Sequence, residues 1–142
     1  MKRAAAFAAG WEAEGMHDLD TLLFFNEKPE ALPLYRALEE RILAEIGTVN
    51  IKVQKTQIAF SNRRQFAFVS FLPVRRAKDR PKVYITVTFG LGEKRESSRV
   101  DAATEPYPNR WTHHVLVSSL DEIDDELLGW IKEASEFAAM KR

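Results

Sequence analysis

The spacing of apolar residues along this chain switches twice. From 31 to 46 they recur every three or four positions, with Leu34, Leu38, Ile42 and Ile46 as the stripe and Ala31, Tyr35 and Leu43 widening it. That period predicts a helix with one buried face. Pro29 and Pro33 fall before or inside its first turn, where a missing N–H costs little, and Gly47 stands where a left-handed cap closes it. From 49 onward the period shortens to two, which predicts strands. Residues 49–54 alternate polar and apolar, and 56–61 follow with Ile58 and Phe60 inward. After an Asn62-Arg63-Arg64 turn, 65–72 is apolar on both faces, with Phe66 and Phe68 on one and Ala67, Val69 and Phe71 on the other. A strand apolar on both sides belongs at the centre of a sheet. Residues 83–89 place Val83, Ile85, Val87 and Phe89 on one face and Tyr84, Thr86 and Thr88 on the other, and 113–117 reads as a fifth strand. Between them, 90–109 reads as a long polar connection. The helical period returns over 120–138 with Leu120, Ile123, Leu127, Trp130, Ile131, Ala134, Phe137 and Ala138, opened by a Ser119–Glu122 capping box.

Helix, strand meander, helix is an α+β order. It predicts an antiparallel sheet of about five strands with the helices packed on one face. At 142 residues the chain reads as one domain, over 19–142, preceded by an Ala-rich arm at 1–18. Met1-Lys2-Arg3 before Ala4–Ala9 matches a leader peptide only in part, because the apolar run is short and Trp11-Glu12 follows at once. No apolar run approaches the ~18 residues of a membrane span. There is no Cys, which excludes disulfides, thiolate metal sites and thiol nucleophiles. A cytoplasmic protein without membrane attachment is the expectation.

Charge changes this picture. The chain is neutral overall, yet 49–95 holds 11 Lys and Arg against two acidic residues, a net +9, while 1–48 and 119–142 each carry −4. One explanation is internal: acidic helix flanks sit beside basic strand ends and loops. The other is that an open sheet face and the loops at 63–64 and 75–82 bind an anion. On that reading the candidates are Lys52, Lys55, Arg63, Arg64, Arg75, Arg76 and Lys78, with Gln54, Gln57, Tyr84 and Thr86 also facing outward. A sequence pI near 6.9 weighs against a dedicated nucleic-acid-binding domain.

Catalytic signals are thin. His113 and His114 are adjacent on a strand, so they point to opposite faces and cannot share an ion; no metal or cofactor is expected. Gly90-Leu91-Gly92 lacks the third glycine and strand–helix context of a nucleotide loop. The acidic run Asp121-Glu122-Asp124-Asp125-Glu126 suits a helix N-terminus. Ser97-Ser98 has no partner at motif spacing. The expectation is a protein without enzymatic activity.

Several segments resemble a known family. Phe25-Asn26-Glu27-Lys28-Pro29 before Leu34-Tyr35, then Lys55-Thr56-Gln57-Ile58-Ala59-Phe60, then Tyr107-Pro108-Asn109-Arg110-Trp111-Thr112-His113-His114-Val115, and Asp124-Asp125-Glu126-Leu127-Leu128-Gly129-Trp130-Ile131-Lys132-Glu133-Ala134 resemble the bacterial domain of unknown function 5655 over roughly 19–138. That resemblance implies the α+β layout and no activity. The tail is also loosely similar to MmcQ/YjbR-type proteins, which would imply a frataxin-like or double-wing sheet with proposed DNA binding, although Trp and His stand here in reverse order. If the shared segments mark a site, it comprises Lys55, Gln57, Arg110, Trp111 and His113 or His114: fixed charge from Lys55 and Arg110, a neutral hydrogen-bonding end from Gln57, a stacking face from Trp111. Otherwise Trp111 and Tyr107 cover the sheet edge, while Lys55 and Gln57 shape a hairpin. Two functions are carried forward. One is a binding module for nucleic acid or another anionic ligand. The other is a structural or protein-interaction domain, with an acidic protein partner or a homodimer.

Overall fold

A computed structural model describes residues 18–140. The expected arm at 1–18 therefore lies outside the described residues except for Asp18. Residues 18–24 are helical (α1). A 3-10 turn at Pro29–Ala31 leads into α2, Leu32–Ile46, which Gly47 ends at φ 93°. Six strands follow: β1 Asn50–Val53, β2 Ile58–Ser61, β3 Gln65–Ser70, β4 Ile85–Leu91, β5 Ala102–Tyr107 and β6 Arg110–Val117. Helix α3, Asp125–Met140, closes the chain.

The strands form one sheet, ordered β1-β2-β3-β4-β6-β5, with antiparallel pairing throughout. The expected α+β architecture is present, with β3 and β4 at the centre. One strand is added. Residues 102–107, expected as connection, make β5, an edge strand joined to β6 by a two-residue turn, Pro108-Asn109. Asn109 takes the left-handed conformation (φ 62°) that Asn tolerates better than most residues. β5 is largely exposed, and Pro106 lies within it, as suits a strand that needs a ladder on one side only.

The core lies between one sheet face and helices α2 and α3. Leu34, Tyr35, Leu38 and Ile42 of α2 and Leu127, Ile131 and Ala134 of α3 join Ile58, Phe60, Val69, Ile85, Val87, Phe89, Val115 and Val117 in one buried cluster. Three expectations are corrected here. Leu43 is exposed, because the α2 stripe is narrower than its apolar content. Leu120 is exposed too, because the Ser119–Glu122 box closes a separate 3-10 turn, Leu120–Glu122. The helix proper starts three residues later, capped by Asp124, whose carboxylate accepts the Leu127 N–H at 3.1 Å. Thr86, expected to face solvent, is fully buried. Chain from the 71–84 connection crosses this end of the second face, and the Thr86 hydroxyl donates to the Leu72 carbonyl at 2.7 Å. Among the described residues, no helix is long and apolar enough to cross a membrane.

Candidate functional site

Cross-strand register aligns one row of side chains on the sheet face opposite the α2–α3 layer. Lys52 pairs with Ala59, Ala59 with Phe68, Phe68 with Thr88, Thr88 with His114 and His114 with Ala102. Antiparallel partners point to the same face, so these six form a strip across all six strands. The neighbouring row, Ser70–Thr86–Leu116, passes beneath the 71–84 connection. On the other flank, Gly90 pairs with Thr112 and leaves a hollow where a side chain would stand.

Two concavities meet on this strip. One, of about 620 Å³, is lined by Lys55, Gln57 and His114, with the Phe24 and Phe71 rings at its wall. The other, of about 430 Å³, runs over Gly90 and round the end of the sheet to Arg64, Arg110, Trp111 and Phe137. Phe68 and Thr88 line both, so the two make one groove. Strand spacing of ~4.8 Å and a rise of ~3.3 Å per residue put its charged ends roughly 20 Å apart.

The surrounding cations divide into two groups. Arg75 donates to the Asp101 carboxylate at 2.7 Å. Arg95 pairs with Glu133 of α3. Arg99 reaches Asp124 at 2.8 Å, Glu126 at 3.0 Å and the Glu122 carbonyl at 2.7 Å. Arg63 donates to the Ala139 carbonyl at the C-terminal end of α3 (3.3 Å), where a cation also suits the helix dipole. Arg76 stands 3.9 Å from Asp79 on the exposed turn that also carries Lys78, away from the groove. Within the +9 segment, Arg63, Arg75, Arg76 and Arg95 are thus answered inside the fold, as is Arg99 just beyond it. Lys52, Lys55, Arg64 and Arg110 make no ion pair among the described residues, and all four are exposed. Lys55, Arg64 and Arg110 line the groove towards its ends, and Lys52 stands at the β1 end of the row that crosses it. Arg110 lies 5.7 Å over the Tyr107 ring, a contact that holds it on the β5–β6 turn. Lys28 adds a fifth cation, 5.4 Å over the Phe71 ring at the groove wall.

The histidines separate as their positions require. His113 points into the helix-side core, where its ring stacks on Phe89 at 5.1 Å and its Nε2 accepts the Arg95 backbone N–H at 2.9 Å. Burial lowers its pKa, which the backbone of Phe89 and Trp111 opposes and the Arg95 charge reinforces. An Nε2 that accepts places the ring proton on Nδ1, and Nδ1 has no partner among the described residues. His113 is therefore a neutral core residue. His114 lies in the groove, with Nδ1 2.8 Å from the Thr88 hydroxyl. Burial lowers its pKa as well. Its Nε2 makes no hydrogen bond among the described residues and is left to face the groove.

Of the residues singled out in the sequence, the groove brings together Lys55, Gln57, Arg64, Arg110, Trp111 and His114, with Lys52 outside it on the edge strand β1. It does not include Arg63, Arg75, Arg76, Lys78 or His113. It adds Phe24, Phe68, Phe71 and Thr88. Phe68 had a signal: on a central strand it falls on the face opposite Val69. What the groove offers is positive charge at its ends, neutral hydrogen-bonding groups along its floor and aromatic rings between. Gln57 Nε2 donates to Gln54 Oε1 at 2.9 Å, which orients its amide. Among the described residues, no three His, Cys, Asp or Glu are grouped to hold a metal ion.

A family model for a domain of unknown function (DUF5655) matches residues 23–138, most of the chain, and the protein belongs to that family. This is the first of the two resemblances drawn from the sequence. No curated protein and no solved structure matches.

Proposed function

We propose that this member of the domain of unknown function 5655 family is a non-enzymatic, cytoplasmic binding module whose open sheet face takes an anionic ligand, nucleic acid foremost. Family membership assigns no activity, so the reading rests on the groove. One observation carries it. While Arg63, Arg75, Arg95 and Arg99 are engaged by carbonyls or carboxylates of the fold, Lys55, Arg64 and Arg110 stand unpaired among the described residues towards the two ends of one aromatic-floored groove, with Lys52 at the β1 end of the row that crosses it. Internal neutralisation does not account for cations so placed, and a bound polyanion does.

The test is salt dependence. With about four phosphate contacts, the log–log slope of affinity against salt is about −3, a loss of roughly 50-fold between about 50 and 200 mM. Gly90→Thr provides a structural control. A Cβ at Gly90 meets only the Trp111 carbonyl, at 3.9 Å, so the backbone tolerates it while the larger side chain enters the hollow. Weaker binding in a variant of unchanged stability supports the groove. No binding of single- or double-stranded oligonucleotides at low salt removes the nucleic-acid reading.

A second reading, a protein-interaction domain that pairs with itself, draws on Leu19, Leu22 and Leu23, which lie exposed on α1 beside Phe24. Light scattering decides it: a monomer at high concentration excludes self-association.

A further inference from the structure

From the proposed anion-binding role, on which this step rests, we infer that the ligand is single-stranded nucleic acid and that the concavity beside Phe68 takes one unstacked base.

The placement of charge argues against a duplex. A duplex presents phosphates on its outside and needs cations ranged along a surface, with the bases out of reach. Here the centre of the groove is not cationic. It is a strip of Phe68, Thr88 and His114, with the free cations at its ends. Aromatic rings between basic ends match the way single strands are held, bases against rings and backbone along positive charge.

The dimensions agree. A hollow of about 620 Å³ lies within the ~300–1,000 Å³ range of small-molecule sites, so it admits a flat ring and a sugar. On the sheet side it is lined by Phe68, Ser70, Thr88 and His114, with Lys55, Thr56 and Gln57 at the β1–β2 turn. Hydrogen-bonding groups for a base edge are already oriented. Thr88 fixes the His114 ring through Nδ1 and leaves Nε2 toward the groove, and Gln57 is fixed by Gln54. Lys55 at the mouth is placed for the adjoining phosphate. A free acidic peptide would use the end charges equally well, but it has no flat group for the aromatic floor.

The experiment is fluorescence anisotropy with the full chain at low salt, using a labelled single strand of about 12 nucleotides, within the ~4–16 that one small domain covers. The same sequence as a duplex and polyglutamate of matched charge serve as competitors. The single strand should bind at least about tenfold more tightly than the duplex and resist polyglutamate. Phe68→Leu, which keeps an apolar side chain on β3, should weaken single-strand binding by about 5- to 150-fold, the loss of one stacked base. Phe68→Leu should leave the affinity for duplex unchanged. Equal affinity for single strand and duplex, displacement by polyglutamate at equal charge, or an unchanged Phe68→Leu overturns the inference and leaves the anion-binding role standing. If none of the three polymers binds, the anion-binding role falls with it.

Discussion

Arg75 and Asp101 are joined across the sheet by a 2.7 Å hydrogen bond from Nε to the carboxylate, and the other carboxylate oxygen accepts the Leu116 backbone N–H at 2.8 Å. β5 begins its ladder two residues too late to reach Leu116, since its first residue, Ala102, pairs with His114 and residue 100 would stand opposite Leu116. The Asp101 side chain therefore replaces the missing strand partner and ties down the basic 71–84 connection at the same point. Asp101→Asn keeps the shape and removes the charge. Chemical denaturation should show a loss of about 1.5–3 kcal/mol, the range for hydrogen bonds to a charged group. A change below about 0.5 kcal/mol would mean that the ladder holds without it.

Arg99 makes a second internal bond of this kind, between the connection after β4 and the start of α3. Partial burial alone would raise the Asp124 pKa, but the Arg99 guanidinium and the Leu127 N–H bind its charged form and hold it below the usual carboxylate range. A carboxyl depressed in the folded state adds stability that is complete above the unfolded value of about 4 and is lost as pH falls through the folded value. Arg99→Gln should therefore lower stability at neutral pH and flatten the loss below about pH 4. Denaturation midpoints measured from neutral to acid pH check both, and parallel acid limbs in the two proteins would refute the coupling.

His113 predicts a different pH window. Its folded pKa is lowered by burial, so the unfolded chain takes up a proton first as pH falls. Stability should decline from about pH 6.5, the unfolded value, toward the lower folded value. His113→Phe keeps an aromatic ring against Phe89 and removes the titration, so the decline should shrink to the share contributed by His114, whose pKa is lowered in the same direction. Thermal melts between neutral and mildly acid pH distinguish the two proteins.

Adjacent Arg63 and Arg64 should behave differently. Arg63 donates to the end of α3, whereas Arg64 lines the groove. Arg64→Gln should reduce the salt slope of oligonucleotide binding by about one. Arg63→Gln should leave the slope unchanged and cost at most about 1 kcal/mol of stability. Equal effects on binding would mean that the turn acts only as a diffuse basic patch.

How much of this is legible in the sequence depends on whether the signal is local. The α2 and α3 stripes and the inward faces of β2 and β4 are visible because a buried face repeats at a fixed period, and the opposition of His113 and His114 follows from strand geometry alone. β5 is not visible: Ala102 to Tyr107 is an edge with neither face deeply buried, so no apolar alternation marks it. The burial of Thr86 depends on a connection that folds back over it, and no residue within β4 records that. The partners of Arg75, Arg95 and Arg99 lie 26, 38 and 25 positions away, so the sequence shows an excess of charge but not which cations it leaves unpaired. The sequence brings the turn at Lys55 and Gln57 and the strand residues Arg110, Trp111 and His114 to one groove, but it does not show that Arg75 is held by Asp101, 26 positions away, or that Arg63 is spent on the end of α3.

The order of the strands bears on how the molecule is made. β6 is the last to leave the ribosome, yet it fits between β4 and β5. Until Arg110–Val117 has emerged, one flank of β4 keeps its peptide groups unpaired beside the apolar residues Ile85, Val87 and Phe89, an invitation to another nascent chain. Any fragment ending before that strand should therefore precipitate rather than fold, and the tight Pro108-Asn109 bend, by pairing β5 with β6 locally, lets the final ribbon arrive ready to seal the gap.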